Sequence, residues 1–279
     1  MEKVWLITGC STGFGRELAI QVLKKGYIAV VTARKLDDIQ DIVKEYSGKS
    51  LALELDVTKT TQIRQVVKKT KDVFGRVDVL VNNAGIGYFG AVEESEDDEV
   101  RRMFEINFFG LANMTQEVLP AMRAQRSGHI INIASIGGLV SFPTVGFYNA
   151  SKYAVDGLSE ALAKETAPLG IKITIVAPSG FRTDWAGRSA KNSQKIIADY
   201  ETTAHANKNT IRGYSGNQPG DPVRAAKAII KAVESPNPPL RLLLGKMALK
   251  GARAKLEQLK KDYDNWEETT VGADYPEGE

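Results

Sequence analysis

Tyr148 and Lys152 stand four residues apart in Tyr148-Asn149-Ala150-Ser151-Lys152, and on a helix an i, i+4 pair shares one face. An ammonium beside a phenol favours the phenolate and draws down a pKa that is ordinarily about 10. A tyrosine tuned in this way exchanges a proton with a carbonyl or alcohol oxygen near neutral pH. Ser135 follows the apolar run Ile130-Ile131-Asn132-Ile133-Ala134 and offers a second hydroxyl to the same oxygen. Tyr-x-x-x-Lys is a common spacing on helices, so its meaning depends on the elements around it.

The first of those elements is Val4-Trp5-Leu6-Ile7, a short apolar run of the kind a parallel strand shows when both its faces are covered. It runs into Thr8-Gly9-Cys10-Ser11-Thr12-Gly13-Phe14-Gly15 and then into a helical pattern with Leu18, Ile20, Val22 and Leu23 on it and Gly26 as C-cap. Strand, glycine turn and helix together make a phosphate cradle: glycines let the backbone approach a pyrophosphate, and the helix N-terminus offers free N–H groups. The spacing is G-x-x-x-G-x-G rather than G-x-G-x-x-G. Cys10 reads as a small filler in this turn.

A second strand, Ile28-Ala29-Val30-Val31-Thr32, leads to Ala33-Arg34-Lys35. A carboxylate about 20 residues past the glycine loop would hold the ribose 2′-hydroxyl of NAD. Arg34 stands there instead, and a guanidinium attracts a 2′-phosphate, so NADP(H) is the expected cofactor. Leu51 to Leu55 forms a third strand ending at Asp56-Val57, where Asp56 either accepts a bond from an adenine amino group or caps the helix starting near Thr58 to Thr61. Val77 to Val81 is the fourth strand and leads into Asn82-Asn83-Ala84-Gly85. Strands alternating with helices predict an α/β, doubly wound Rossmann-type domain whose ligands bind along one sheet edge.

In order and interval, Thr8-x-x-x-Gly-x-Gly, Asp56, Asn82-Asn83-Ala84-Gly85, Asn107, Ser135 and Tyr148-x-x-x-Lys152 resemble the short-chain dehydrogenase/reductase family over roughly residues 3 to 245. The resemblance implies a mostly parallel sheet of about seven strands, a nicotinamide cofactor and an Asn–Ser–Tyr–Lys group of Asn107, Ser135, Tyr148 and Lys152. It places Gly9, Ser11, Thr12, Gly13, Phe14, Gly15, Arg34, Asp56, Val57, Asn82, Ala84, Gly85, Tyr148, Lys152, Pro178, Gly180, Phe181 and Thr183 around the cofactor. Asn107 would distort its helix, and Thr183 would hydrogen-bond the cofactor. Ser179 stands where the family runs Pro-Gly. The resemblance further implies a homodimer or homotetramer through the Asn107 and Tyr148 helices.

For the substrate, Tyr88, Phe89, Gly137, Leu139, Phe142, Phe147 and Trp185 are the candidate wall, with Ser135 and Tyr148 on the reacting oxygen. Mostly apolar or aromatic, they suggest a lipophilic carbonyl or secondary alcohol in the manner of the hydroxysteroid- and retinol-dehydrogenase-like branches. A 3-oxoacyl thioester reductase is the enzyme alternative, and a non-catalytic NADP-binding regulator the rival from another class. Residues 184–221 lose their strand rhythm and read as a substrate lid, after which Asp221 and Pro222 open a helix. The acidic run Glu93-Glu94-Ser95-Glu96-Asp97-Asp98-Glu99 reads as a solvated helix start with no function.

The chain thus divides into a catalytic domain over 1–245, lid included, and an extension over 246–279. That extension is a basic helix expected to dock on the domain, with membrane contact as the alternative, followed by an acidic, disordered tail from Val271 to Glu279. The formal charge of +3 over 279 residues gives no argument for a nucleic-acid partner. A single cysteine excludes an internal disulfide framework. No signal peptide or run of membrane-spanning length is apparent, so a cytoplasmic protein is expected. His129 and His205 have no neighbours at metal-ligand spacing, and no metal is expected.

Overall fold

The computed structural model describes residues 2–187 and 190–275. Positions 188–189 of the expected lid and 276–279 of the expected tail lie outside them. In chain order the elements are β1 (Val4–Ile7), α1 (Gly13–Lys24), β2 (Ile28–Ala33), α2 (Gln40–Glu45), β3 (Ser50–Glu54), α3 (Thr60–Phe74), β4 (Val79–Asn82), β5 (Gly87–Phe89), α4 (Asp97–Phe104) and α5 (Gly110–Gln125). There follow β6 (Gly128–Ile133), α6 (Gly146–Thr166), β7 (Ile171–Pro178), β8 (Ala190–Asn192), α7 (Ala206–Gly213), α8 (Pro222–Glu234), β9 (Arg241–Leu244), α9 (Lys246–Asn265) and α10 (Glu267–Val271).

Seven strands form one parallel sheet in the order β3-β2-β1-β4-β6-β7-β9. The order reverses at β1, and the crevice at such a reversal is where ligands of this architecture sit. Alternate residues feed opposite cores. Trp5, Ile7, Val31, Val79 and Ile131 pack under α1 and α8, whereas Leu6, Val30, Leu80, Ile130 and Ile173 pack under α3, α5 and α6. Burial on both faces is why these strands read as continuous apolar runs rather than as alternating ones. β5 and β8 form a separate two-stranded parallel ribbon above the strand ends.

The expected caps are in place. Gly26 takes a left-handed φ of 89° and donates to the Leu23 carbonyl at 2.9 Å. Asp221 Oδ1 accepts from the amides of Val223 at 2.8 Å and Arg224 at 3.3 Å, opening α8 ahead of Pro222.

Within the expected lid, the described residues carry β8, a π-turn over Glu201–His205 and α7. The expectation for the C-terminal extension needs correction. The C-terminal helix docks only at its base. Ala248 is buried and Gly251 lies against Ile136 and Val140, but every residue from 260 to 275 is exposed, and Val271 is the last residue of α10 rather than the start of a disordered tail. The apolar stripe thins after Leu259, which leaves too little area to hold the later turns against the body. Among the described residues no helix is long and apolar enough to cross a membrane.

Candidate active site

The glycine loop between β1 and α1 is shaped by its missing Cβ atoms. Gly9 and Gly13 take φ of 71° and 61°, and a Cβ on Gly15 would come within 2.4 Å of both the Gly9 carbonyl and Asn83 Nδ2, conformations and contacts that only glycine tolerates. Thr12 is the N-cap of α1 but makes no side-chain cap bond, and the first turn holds no acidic residue. The leading N–H groups therefore remain available to an anion. This cradle fits a dinucleotide pyrophosphate. Phe14 meets Phe181 edge-on at 5.0 Å, and Thr183 lies over Gly13, so the loop that follows Pro178 at the end of β7 (Gly180, Phe181 and Thr183) closes one side. Ser179 extends the β7–β9 pairing, with its amide on the Leu244 carbonyl at 3.0 Å, which accounts for the extra residue.

Arg34 follows the end of β2 and is exposed, as is Lys35. Asp56 closes a turn ahead of α3 and does not cap the helix: its Oδ1 accepts from the Thr58 amide at 3.0 Å and hydroxyl at 2.8 Å, while the N-cap of α3 is Lys59, without a side-chain cap bond. Val57 packs against Gly110. Asn82 is buried at the end of β4, and its Nδ2 donates to Thr115 at 3.0 Å and Asn132 at 2.9 Å. The residue that reaches the loop is Asn83, whose Nδ2 donates to the carbonyls of Thr8 at 2.8 Å and Gly9 at 2.9 Å. Ala84 donates its amide to Thr8 Oγ1 at 3.0 Å, and Gly85 leaves room for Asn107 Oδ1 and Lys152 Nζ.

Tyr148 and Lys152 lie on the buried face of α6, and Ser135 leads the turn after β6. Gly137 sits between Ser135 and Tyr148, where a Cβ would be 3.3 Å from Ser135 Oγ and 3.5 Å from Tyr148 Cε1. Burial pushes the Tyr148 phenol up to about 12, and the hydrogen bond from Ser135 pulls against it. The expected depression by Lys152 does not prevail, because the ammonium is 5.8 Å from the ring centroid and donates to the Ile133 carbonyl at 2.8 Å. Burial in turn lowers Lys152 to about 8, since taking either charge out of water disfavours it. Asn107 lies in a π-turn over Glu105–Phe109, an irregularity often found at functional sites. Its Oδ1 accepts from Ile86 N at 2.8 Å and its Nδ2 donates to Ser151 at 3.2 Å. The loop entering α6 carries backbone strain, with Thr144 at φ 69° and its carbonyl accepting from Gly90 N at 2.8 Å.

On the substrate side, Tyr148 belongs to a cluster with Tyr88, Phe89, Met103, Val145 and Ala190, flanked by Phe147 and Trp185. The Trp185 indole lies 4.8 Å from the Tyr148 ring, and Phe89 meets the indole at 5.7 Å. Tyr88 is 3% exposed, with its hydroxyl committed to the Glu96 carboxylate. Phe142 is half-exposed outside this cluster, its carbonyl accepting from Asn149; Leu139 is partly exposed in the same loop. Among the described residues no group of three His, Cys, Asp or Glu could hold a metal.

The acidic run is a solvated helix start only in part: Asp97, Asp98 and Glu99 form the first turn of α4, with Asp97 and Asp98 exposed. Glu94 is 2% exposed and meets His205 Nε2 at 2.7 Å, and Glu93, Glu96 and Glu99 bond Tyr200, Gln194 and Lys191 of the segment after β7. Asn82-Asn83 signals a pair of amides, but the pattern does not say which faces which side. The contacts of the acidic run join residues about a hundred positions apart and leave no local trace.

Residues 3–194 match the family model for short chain dehydrogenases. An oxidoreductase, BOA17, of Botryotinia fuckeliana is 36% identical over 98% of this chain and 100% of its own length. The 3-ketodihydrosphingosine reductase of Bacteroides thetaiotaomicron is 39% identical over 87% of this chain and 88% of its own. A short-chain dehydrogenase structure from Streptomyces avermitilis superposes with a TM-score of 0.92 at 39% identity, covering 99% of both chains. An alcohol dehydrogenase from Thermococcus sibiricus complexed with 5-hydroxy-NADP (TM-score 0.72, 25% identity, 88% and 96% covered) and a 3-ketoacyl-(acyl-carrier-protein) reductase from Brucella melitensis complexed with NADH (0.73, 28%, 86% and 96%) share the fold. The chain belongs to the short-chain dehydrogenase/reductase family: it is a nicotinamide-dependent oxidoreductase acting on the CH–OH/C=O couple.

Proposed function

We propose that the enzyme uses NADP(H) to interconvert a lipophilic ketone and its secondary alcohol, with Tyr148 as acid and base. The observation that carries this reading is the buried Tyr148 phenol beside Ser135, with Lys152 on the same helix face 5.8 Å from its ring. The nicotinamide, when bound, supplies or accepts the hydride. Tyr148 is protonated at neutral pH, which suits donation to the alkoxide oxygen of a ketone undergoing reduction. Ser135 orients the same oxygen as a preorganised donor. Lys152 supplies a positive charge that favours the phenolate as the proton leaves, and would also bind the ribose hydroxyls of the cofactor. Asn107 holds the π-turn against Ile86 and Ser151.

Exposed Arg34 at the end of β2 supports NADP over NAD. The aromatic cluster around Trp185, together with a relative that reduces 3-ketodihydrosphingosine, supports a long apolar ketone over a short polar one. Exposed Phe109 and Tyr153, beside Asn107 and on α6, support pairing with another copy of the chain. Tyr148→Phe should lower kcat by about two orders of magnitude or more, followed by NADPH absorbance with a panel of lipophilic ketones. A loss below about tenfold overturns the assignment.

A further inference from the structure

We propose that Glu94 and Glu96 are positioning residues that clasp the lid segment 193–205 and so seat Trp185 on Tyr148. Glu94 ends a short 3₁₀ turn over Val92–Glu94. Both of its oxygens are occupied: Oε1 accepts from Ile197 N at 2.7 Å and lies 2.7 Å from His205 Nε2, while Oε2 accepts from Ala91 N at 3.0 Å. Glu96 Oε1 accepts from Gln194 N at 2.8 Å and from the Ser193 hydroxyl at 3.2 Å, and its other oxygen accepts from the Tyr88 hydroxyl. One carboxylate thus joins the core side of β5 to the residues that leave β8. A buried carboxylate is costly unless its lone pairs are filled, and here lid amides fill them.

The clasp is transmitted to the indole through the ribbon. Trp185 and Ala190 pack directly on Gly87 of β5, where a Cβ would be 2.9 Å from Trp185 Cζ2 and 2.8 Å from Ala190 Cβ. Ser193 N donates to the Phe89 carbonyl at 2.7 Å. Arg212 of α7 lies 5.0 Å over the Phe89 ring and donates to the Ala190 carbonyl at 2.8 Å. With the segment held in this way Tyr148 is 8% exposed and the Trp185 indole lies 4.8 Å from its ring, so Trp185 forms part of the wall against which a ketone meets the phenol. Releasing the clasp loosens that wall and weakens productive binding more than it alters the proton-transfer group. The functional part of this inference rests on Tyr148 being the acid/base, whereas the clasp itself does not.

The test uses a Trp266→Phe background. Trp266 is 65% exposed and Trp5 fully buried, so acrylamide quenching of the remaining fluorescence reads Trp185. Glu96→Ala should at least about double that quenching and raise KM for the ketone roughly fivefold, with kcat changed by less than about twofold. Glu96→Gln keeps an acceptor for Gln194 N and should restore both values to near those of the parent. Glu94→Ala is the stronger disruption, and Glu96 provides the readout if that variant does not fold. A Glu96→Ala protein with native circular dichroism, parental quenching and parental KM overturns the proposal. Raised quenching in Glu96→Ala together with full activity in Tyr148→Phe leaves the clasp standing and removes the acid/base reading.

Discussion

Around the glycine loop the bonds run between sheet neighbours: Thr8 N to Val81 O, Cys10 N to Thr32 O, and the Asn83 amide onto the Thr8 and Gly9 carbonyls. Around the lid they run from carboxylates to amides and side chains across the chain, from Glu94 and Glu96 to Gln194, Ile197 and His205. The first region owes its shape to backbone geometry that follows directly from residue type, chiefly glycine. The second owes its shape to charged side chains whose partners are distant in sequence. A pocket built on the backbone can tolerate change in its side chains, whereas one built on carboxylates depends on each of them.

The comparison is tested most severely at Gly15. Gly15→Val, which drives side-chain atoms into the Gly9 carbonyl, should weaken NADPH binding by about a hundredfold or more, measured by calorimetric titration. Equal affinity would mean that the cradle adapts. Next comes cofactor choice. Arg34→Asp should lower the ratio of kcat/KM for NADPH over NADH by about tenfold or more, with Glu96→Ala leaving that ratio alone. A shift in the second variant would show the two regions to be coupled.

Acid separates them by another route. His129 is buried in β6, with Nε2 2.9 Å from Thr174 Oγ1, and burial lowers it to about 4. Its folded pKa lies below the unfolded one, so its contribution is complete above about pH 6.5 and is lost as pH falls toward 4, on the order of 3 kcal/mol. Glu96 is held near 2, first by the Tyr88 hydroxyl and then by the Gln194 amide. Its contribution is complete above its ordinary value of 4.5 and is lost only as pH falls toward 2. Denaturant melts between pH 7 and 4 should therefore weaken the body while the Trp185 quenching of the folded fraction stays constant. Release of Trp185 at pH 5, with the body intact, would contradict the assignment of these charges. The smallest effect belongs to the exposed end of α9: removing residues 260–279 should move Tm by less than about 2 °C, read by calorimetry.

The sheet was legible because its signal is local and repeated. Seven short apolar runs at βα spacing give the strands, and Gly9, Gly13 and Gly15 give the turn. Asp221-Pro222 was legible for the same reason, as a cap is written within four residues. β5 and β8 were not, since strands of three residues carry no period to detect. In Glu93 to Glu99 the helix start over Asp97 to Glu99 was legible, because acids favour a first turn, whereas the distant partners of Glu94 and Glu96 were not. Tyr148 with Lys152 was found by spacing, but spacing does not report that burial outweighs the lysine charge. That balance is set by depth, which only the assembled chain determines.

Cys10 gives the glycine loop a clock. It is the only cysteine, fully buried at the turn, with its thiol donating to the Ile7 carbonyl at 3.3 Å and pushed up to about 12 by burial. Thiol reagents attack the thiolate, so in the closed loop this sulfur is inert, and modification waits for an opening. The labelling rate under native conditions then counts how often the nucleotide half comes apart, at one site and without an added probe. An occupied cradle should slow it in proportion to ligand saturation, which turns alkylation kinetics into a binding isotherm for the cofactor.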